Sequence, residues 1–426
     1  MPVISLNFFF PKIIRFCYLV IYGLAVSFMA INSGNIGSSI YLGCLCLALF
    51  LSLLIPVDIF LNCLFFTIPF TAVLKLPIEI FSFVTLLQLI LILRAVLSNV
   101  NIRLLSIILI IVLAVLTQII PVLLYEQTFA NILLLALNIL TFYCTFKLAK
   151  YSKIHIMAAY TSFAVGVLIA GLIAINYDIL ISEIQDYRFC GLWTDPNFWG
   201  MFCLIGIFIS LLSGFKTPWK FIFLIPLIIA LALQGFTTLS RTFLFVNTLM
   251  IPIILYRYMK RNIWISFIII IILFVGVYYA WPYVETVFDK RALDENDFSN
   301  GRFESTLVYF SFLENNPLVA LFGIGYNNVL NMQLLGYSGH LASHNTYADL
   351  FIEFGFLSDL LIVFFILKRW KYIKGVFRNL RTIPGLVILV LLFYMGTLSM
   401  FKYALVYLFI GLFCGYSSEI NLEKKK

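Results

Sequence analysis

Residues 103–124 read RLLSIILIIVLAVLTQIIPVLL, one cation followed by a run with no further charge. A run of this length crosses a hydrocarbon core about 30 Å thick as an α-helix, and a continuous apolar stretch without alternation argues against a membrane β-strand. Similar runs recur along the 426-residue chain. Hydrophobic residues make up 63% and charged residues 11%, with mean hydropathy +1.07. A soluble domain is nearer one-quarter charged, so the composition excludes a soluble globule. The expected fold is all-α: one polytopic membrane helical bundle spanning 1–426. The first run follows Lys12 and Arg15 without an A-x-A cleavage site and reads as a retained helix.

Fourteen spans are expected, at about 13–31, 36–56, 57–74, 78–98, 103–124, 128–149, 154–175, 197–213, 218–234, 240–257, 263–281, 349–367, 384–400 and 403–418. The run 57–74 is short enough to be re-entrant. With the N-terminus inside, 21 of the 28 basic residues fall on the inner side. The outer side keeps Lys75, Arg188, Arg241, Lys290, Arg291, Arg302 and Lys402. That bias follows the positive-inside rule and puts both termini in the cytoplasm. Of the 19 acids, 15 fall outside, Asp58 and Asp359 lie within spans, and Glu419 and Glu423 lie inside. The net charge of +9 therefore tracks topology and does not point to nucleic acid. Seven of the eight cysteines fall in spans and only Cys190 in an outer loop. None forms a CxxC, so neither a zinc site nor a disulfide framework is expected.

Two outer segments stand out, 176–196 and the long loop 282–348 between spans eleven and twelve. The second is the most polar and charged part of the chain. It closes on Ser343-His344-Asn345-Thr346-Tyr347. Histidine is the side chain suited to proton transfer near neutral pH, so His344 is either a general base or a loop residue bonded to backbone. His340 and His344 have the spacing of two metal ligands, but Gly336 and Gly339 oppose a helix there and no third ligand is evident, so no metal is expected.

Arg188, Arg241 and Arg302 lie outside against the topological bias. Their partners are either nearby acids or a phosphate, which the planar guanidinium binds bidentately. Asp195-Pro196-Asn197 has the form of a helix start, with Asp at the N-cap and Pro at N1. The free N–H groups there also suit an anion. Asp349 and Glu353 lie one turn apart at the start of span twelve, and Asp359 deeper in it. Each is either interfacial or bonded to a neighbouring helix, or else functional. Gly323-Ile324-Gly325 reads as a tight turn after Pro317 and not as a dinucleotide fingerprint, since no βαβ unit surrounds it. No P-loop is present.

These segments together resemble the O-antigen polymerase and O-antigen ligase superfamily of bacterial inner membranes. The residues that carry the likeness are Gly301-Arg302-Phe303-Glu304, Asn316-Pro317, Gly323 to Tyr326, Ser343 to Tyr347, and Glu353-Phe354-Gly355-Phe356-Leu357. Arg188 with Gly191 and Asp195-Pro196-Asn197, and Ser240-Arg241-Thr242, add to it. Ser358 stands where some members have a second glycine.

The resemblance implies a fold like the lipid-donor (GT-C-like) glycosyltransferases. It implies polymerisation of polyprenyl-diphosphate-linked oligosaccharides into a surface polysaccharide, on the outer face of the inner membrane, with inversion and no metal or other cofactor. By the same resemblance His344 is the catalytic residue, Arg188 and Arg241 bind the diphosphate, and Arg302 is a further outer arginine. Asn345, Tyr347, Glu353, Asp195 and Asn197 support them. Its implied partners are a lipid-linked donor and acceptor, membrane lipid and a protein that regulates chain length. A ligase that moves glycan to lipid A core uses the same donor, and the span count leans towards a polymerase. A flippase of lipid-linked sugars is the alternative of another class, but it would have short outer loops and charges along a central cavity.

Overall fold

In a computed structural model the described residues are 12–77, 82–98, 100, 102–151, 155–177, 188–214, 218–249, 302–328, 332, 333, 335–337, 344–368 and 370–423, with isolated positions between 267 and 285. They are helical with no strand; one isolated bridge joins Lys75 and Ser82. In chain order the helices are α1 (Lys12–Ile31), α2 (Ser39–Leu54), α3 (Val57–Thr67, continued by a 3₁₀ turn Ile68–Phe70), α4 (Phe83–Leu97), α5 (Leu104–Tyr125), α6 (Phe129–Tyr151) and α7 (Ile156–Asn176). They continue with α8 (Pro196–Gly214), α9 (Pro218–Thr237), α10 (241–249), α11 (Arg302–Asn315), α12 (Pro317–Phe322), α13 (Thr346–Lys368), α14 (Trp370–Arg378), α15 (Ile383–Met395) and α16 (Ala404–Glu423). Most of the eleventh expected span and the stretch 286–301 lie outside the described residues.

Among the described residues four helices are long and apolar enough to cross a membrane: Ile14–Ile31, Leu104–Tyr125, Phe129–Tyr151 and Ile156–Asn176. Seven shorter apolar helices accompany them. The expected span 57–74 is two pieces, and α3 with its 3₁₀ turn reaches only to Phe70. At about 1.5 and 2.0 Å of rise per residue that is roughly 23 Å, short of a ~30 Å core. Nearly all its side chains from Ile59 onward are buried, against a core shared with α1, α4 and α7.

Contacts sort the helix ends into two levels. At one level Arg15 of α1 meets Asp58 of α3 at 3.0 Å, Arg94 of α4 donates to the Ser52 and Ile55 carbonyls at the end of α2, and Asn379 donates to Ser417 O. At the other, Tyr41 donates to Lys75 O, Trp193 Nε1 to Pro69 O at 2.9 Å, and Thr346 N to Leu398 O at 3.1 Å. The alternation matches helices that run back and forth between two surfaces.

The most extensive helix contact is between α6 and α16. Asn138 Nδ2 donates to Lys402 O at 3.3 Å, Gly411 lies against Phe142 O and Thr145, and Gly415 against Phe146 O and Ala149. Positions advance together along both helices, so the pair is parallel. A Cβ at Gly411 would sit 2.8 Å from Phe142 O, which makes the glycine a condition of the close approach.

The expected long exposed loop is only partly exposed. Within it α11 and α12 bury Tyr309, Phe312, Leu313 and Val319 with Ile324, Met332, Tyr337 and Ile352 in a small core of their own. Helix α11 is too polar and α12, at six residues, too short to cross a membrane, but together they carry enough apolar side chains for a cap at one end of the bundle.

Candidate functional site

Two corners at the second level hold the candidate residues. In the first, Arg188 is buried. Its Nε donates to Thr238 O at 2.9 Å and its Nη2 to Asn197 Oδ1 at 3.4 Å. Asn197 Oδ1 also accepts from Ser240 Oγ at 2.9 Å, and Asp195 Oδ1 accepts from Asn197 N at 2.7 Å and Nδ2 at 2.9 Å. Asp195 thus fills the cap position read from the sequence. Ser240 Oγ in turn accepts from Phe243 N and starts α10, which places Arg241 in its first turn, half-buried. Cys190 lies between the charges. Burial pushes its thiol up to about 11; Arg188 opposes that shift and Asp195 adds to it.

The second corner contains His344, partly buried, with φ of 52°. A side-chain-bearing residue in this left-handed region costs about 1–2 kcal/mol. Asn345 follows, and its Oδ1 accepts from Tyr347 N at 3.0 Å and Ala348 N at 3.4 Å, so it caps α13. Tyr347 donates its hydroxyl to Leu392 O at 3.0 Å. Glu353 is buried; Oε1 accepts from Asn327 N at 2.9 Å, and Oε2 is buried with no hydrogen-bond partner among the described residues.

Gly323 to Gly325 is more than the tight turn expected. Helix α13 is broken at Gly355, with φ 67° and ψ 167°, a conformation open essentially to glycine. The break frees the carbonyls of Ile352 and Glu353, and these accept from Ile324 N at 2.8 Å and Gly325 N at 3.0 Å. The two backbones touch: a Cβ on Gly355 would lie 2.3 Å from Gly323 N, and one on Gly323 2.3 Å from Glu353 O.

Residues that sequence reading passed over hold this clasp to the bundle. Tyr326 N donates to Gln118 Oε1 at 2.7 Å, and Gln127 Nε2 donates to Tyr326 O at 2.7 Å. Asn138 Nδ2 donates to the Tyr326 hydroxyl at 2.9 Å and Gln88 Nε2 to Asn138 Oδ1 at 2.9 Å. For Gln88, Gln118 and Asn138 the available signal was a polar side chain inside an otherwise apolar run, which is costly unless partnered; Gln127, between two runs, offered none.

The corners share one wall, the end of α15 and the turn to α16, residues 392–403. Trp193 and Phe198 pack edge-on to Tyr403 at 5.2 and 5.1 Å, and Phe245, one turn beyond Arg241, lies 5.8 Å from Phe393. On the other side Thr346 donates to Leu398 O and accepts from Met400 N at 2.8 Å. Arg302 is the first residue of α11; its side chain, and Ser343 and His340, lie outside the described residues. Compared with protein-family models and with curated proteins, the sequence matches none.

Proposed function

We propose that the protein is an inverting, metal-independent glycosyltransferase of fourteen spans and GT-C-like architecture. In this reading it polymerises polyprenyl-diphosphate-linked oligosaccharide repeats on the outer face of a bacterial inner membrane. The observation that carries the reading is the shared wall at 392–403, which joins the segment bearing His344 to the segments bearing Arg188 and Arg241. A sugar on a diphosphate already has a good leaving group, so the leaving side needs charge stabilisation and no acid. Negative charge grows on the diphosphate as the glycosidic bond breaks. Guanidinium groups already fixed towards it stabilise that charge without reorganisation, each well-placed donor contributing about 3 kcal/mol. The attacking hydroxyl needs a base, a contribution of roughly 10²–10⁴-fold, and His344 is the residue for it. Attack opposite the diphosphate inverts the anomeric carbon.

The test is deletion of the gene followed by electrophoresis of the surface glycan. Single-repeat glycans support the polymerase. Bare cores would instead indicate a ligase acting on lipid A core, and loss of lipid-linked repeats from the outer face a flippase.

A further inference from the structure

The wall shared by the two corners carries a cation that the proposed reaction leaves unused. Lys402 lies in the turn between α15 and α16. The fold uses its backbone. The Lys402 carbonyl accepts from Asn138 Nδ2 at 3.3 Å, and the carbonyl before it, of Phe401, accepts from the Tyr326 hydroxyl at 3.3 Å. These bonds fix the turn and make no demand on the side chain. Lys402 is exposed, with its ammonium 5.5 Å from the centroid of the Tyr403 ring. A ring attracts a cation while leaving its three N–H donors open to other partners.

The neighbours of the turn set that ammonium between the corners. Tyr403 packs on Trp193 and Phe198, which bracket Asp195 and Asn197 in the arginine corner. Phe401 packs on Tyr326 and on Phe354, the residue after Glu353, on the histidine side. Among the described residues no acid forms an ion pair with Lys402. Asp195 Oδ1 accepts twice from Asn197, and Glu353 is buried with Oε1 accepting from Asn327 N. A lysine on the outer side also runs against the topological bias. The charge is thus displayed on a rigid turn, and its complement is an anion that arrives from outside the fold.

We infer that Lys402 is a further cation of the donor site and binds the diphosphate beside Arg188 and Arg241. The inference rests on the diphosphate-donor reading proposed above. A guanidinium fork fixes direction, whereas an ammonium on a four-carbon stem follows a phosphate as it moves. Such a charge attracts the diphosphate alike before and during bond breaking. It therefore acts on binding: loss of the charge raises KM and leaves kcat nearly unchanged.

The probe is undecaprenyl diphosphate, titrated into the full-length protein in detergent, with undecaprenyl alcohol as the uncharged control. Wild-type protein should prefer the diphosphate. Lys402→Met keeps an apolar stem for the Tyr403 ring and removes the charge. It should weaken diphosphate binding about tenfold, the size of one charge-assisted hydrogen bond, and leave alcohol binding unchanged. Its melting temperature should match the wild type, since the carbonyl bond to Asn138 remains. Lys402→Arg should recover most of the affinity, and a loss that it does not recover overturns the charge role. Lys75→Met, at the same level but outside both corners, should change nothing; an equal loss there assigns the effect to general outer charge and overturns the inference. Wild-type affinity in Lys402→Met together with weakened binding in Arg241→Gln defeats the role of Lys402 alone and leaves the donor reading standing. A wild-type protein that does not distinguish the diphosphate from the alcohol defeats both.

Discussion

The arginine corner and the histidine corner lie at the same end of the bundle yet are fastened by different means. Around Arg188 the fasteners are mostly side chains, Asn197, Ser240 and Asp195, with the backbone carbonyls of Thr237 and Thr238. Around His344 the side chains of Asn345, Thr346 and Tyr347 are joined, further along α13, by a backbone clasp, the carbonyls of Ile352 and Glu353 opposed to the amides of Ile324 and Gly325, with glycine on both sides. A corner fastened by side chains can lose one bond and keep its shape. A corner fastened by touching backbones has no room for a single methyl group. Both corners are closed to added volume at a glycine, Gly191 against the Trp199 ring in the first and Gly355 against Gly323 in the second, but only the second sets backbone against backbone, where neither side can give.

The largest expected effect is that of His344→Ala. It should remove polymer, leaving single repeats on a gel, a loss of at least about 10²-fold with the protein still folded in the membrane. A normal ladder of lengths would end the base role. Next is Gly355→Ala, which forces a Cβ into the Gly323 backbone and a conformation that alanine rarely adopts. It should cost about 3 kcal/mol or more of stability, read as a broad, aggregated profile in size-exclusion chromatography; a monodisperse, active variant would show that the clasp opens freely.

Arg188→Lys and Arg241→Lys come third. Each keeps charge but not the fork, so activity should fall about ten- to a hundredfold with a monodisperse protein. Full activity would leave the arginines a structural role only. The smallest effect concerns Cys190. A thiol with its ionisation pushed to about 11 is thiolate to roughly one part in 10⁴ at neutral pH. Maleimide labelling should be slow in the wild-type protein and rise in Asn197→Ala, which loosens this corner but not the other. Fast labelling of both would contradict the burial.

The helical class and the positions of most apolar helices were legible because each run is long and continuous. Residues 104–125 are a single helix, of which only Ala114, Gln118 and Pro121 are buried. The same strength of signal misleads about importance, since α5 is peripheral. Its neighbour α6, less apolar, carries Asn138 and Thr141 into the interior. The cap at Asp195 was readable because capping is local in sequence. The clasp was not, because Gly323 and Gly355 are 32 positions apart and nothing in either segment alone says that one completes the other's broken helix. The loop 282–348 read as solvent-exposed by composition, but composition averages over Tyr309, Phe312 and Tyr337, which close on one another. Burial pushes the ionisation of the Tyr309 and Tyr337 hydroxyls upward.

The parallel pairing of α6 with α16 has a consequence for the order of assembly during synthesis. Asn138 enters the bilayer early, yet one of its bonds goes to the carbonyl of Lys402 and another to the hydroxyl of Tyr326. Until residue 402 has left the ribosome, α6 waits with the amide oxygen matched by Gln88 but with its Nδ2 short of native acceptors. The insertion machinery therefore handles a half-finished protein for some 260 residues of elongation, and the cap at this end of the bundle can lock only after α16 slides in beside α6.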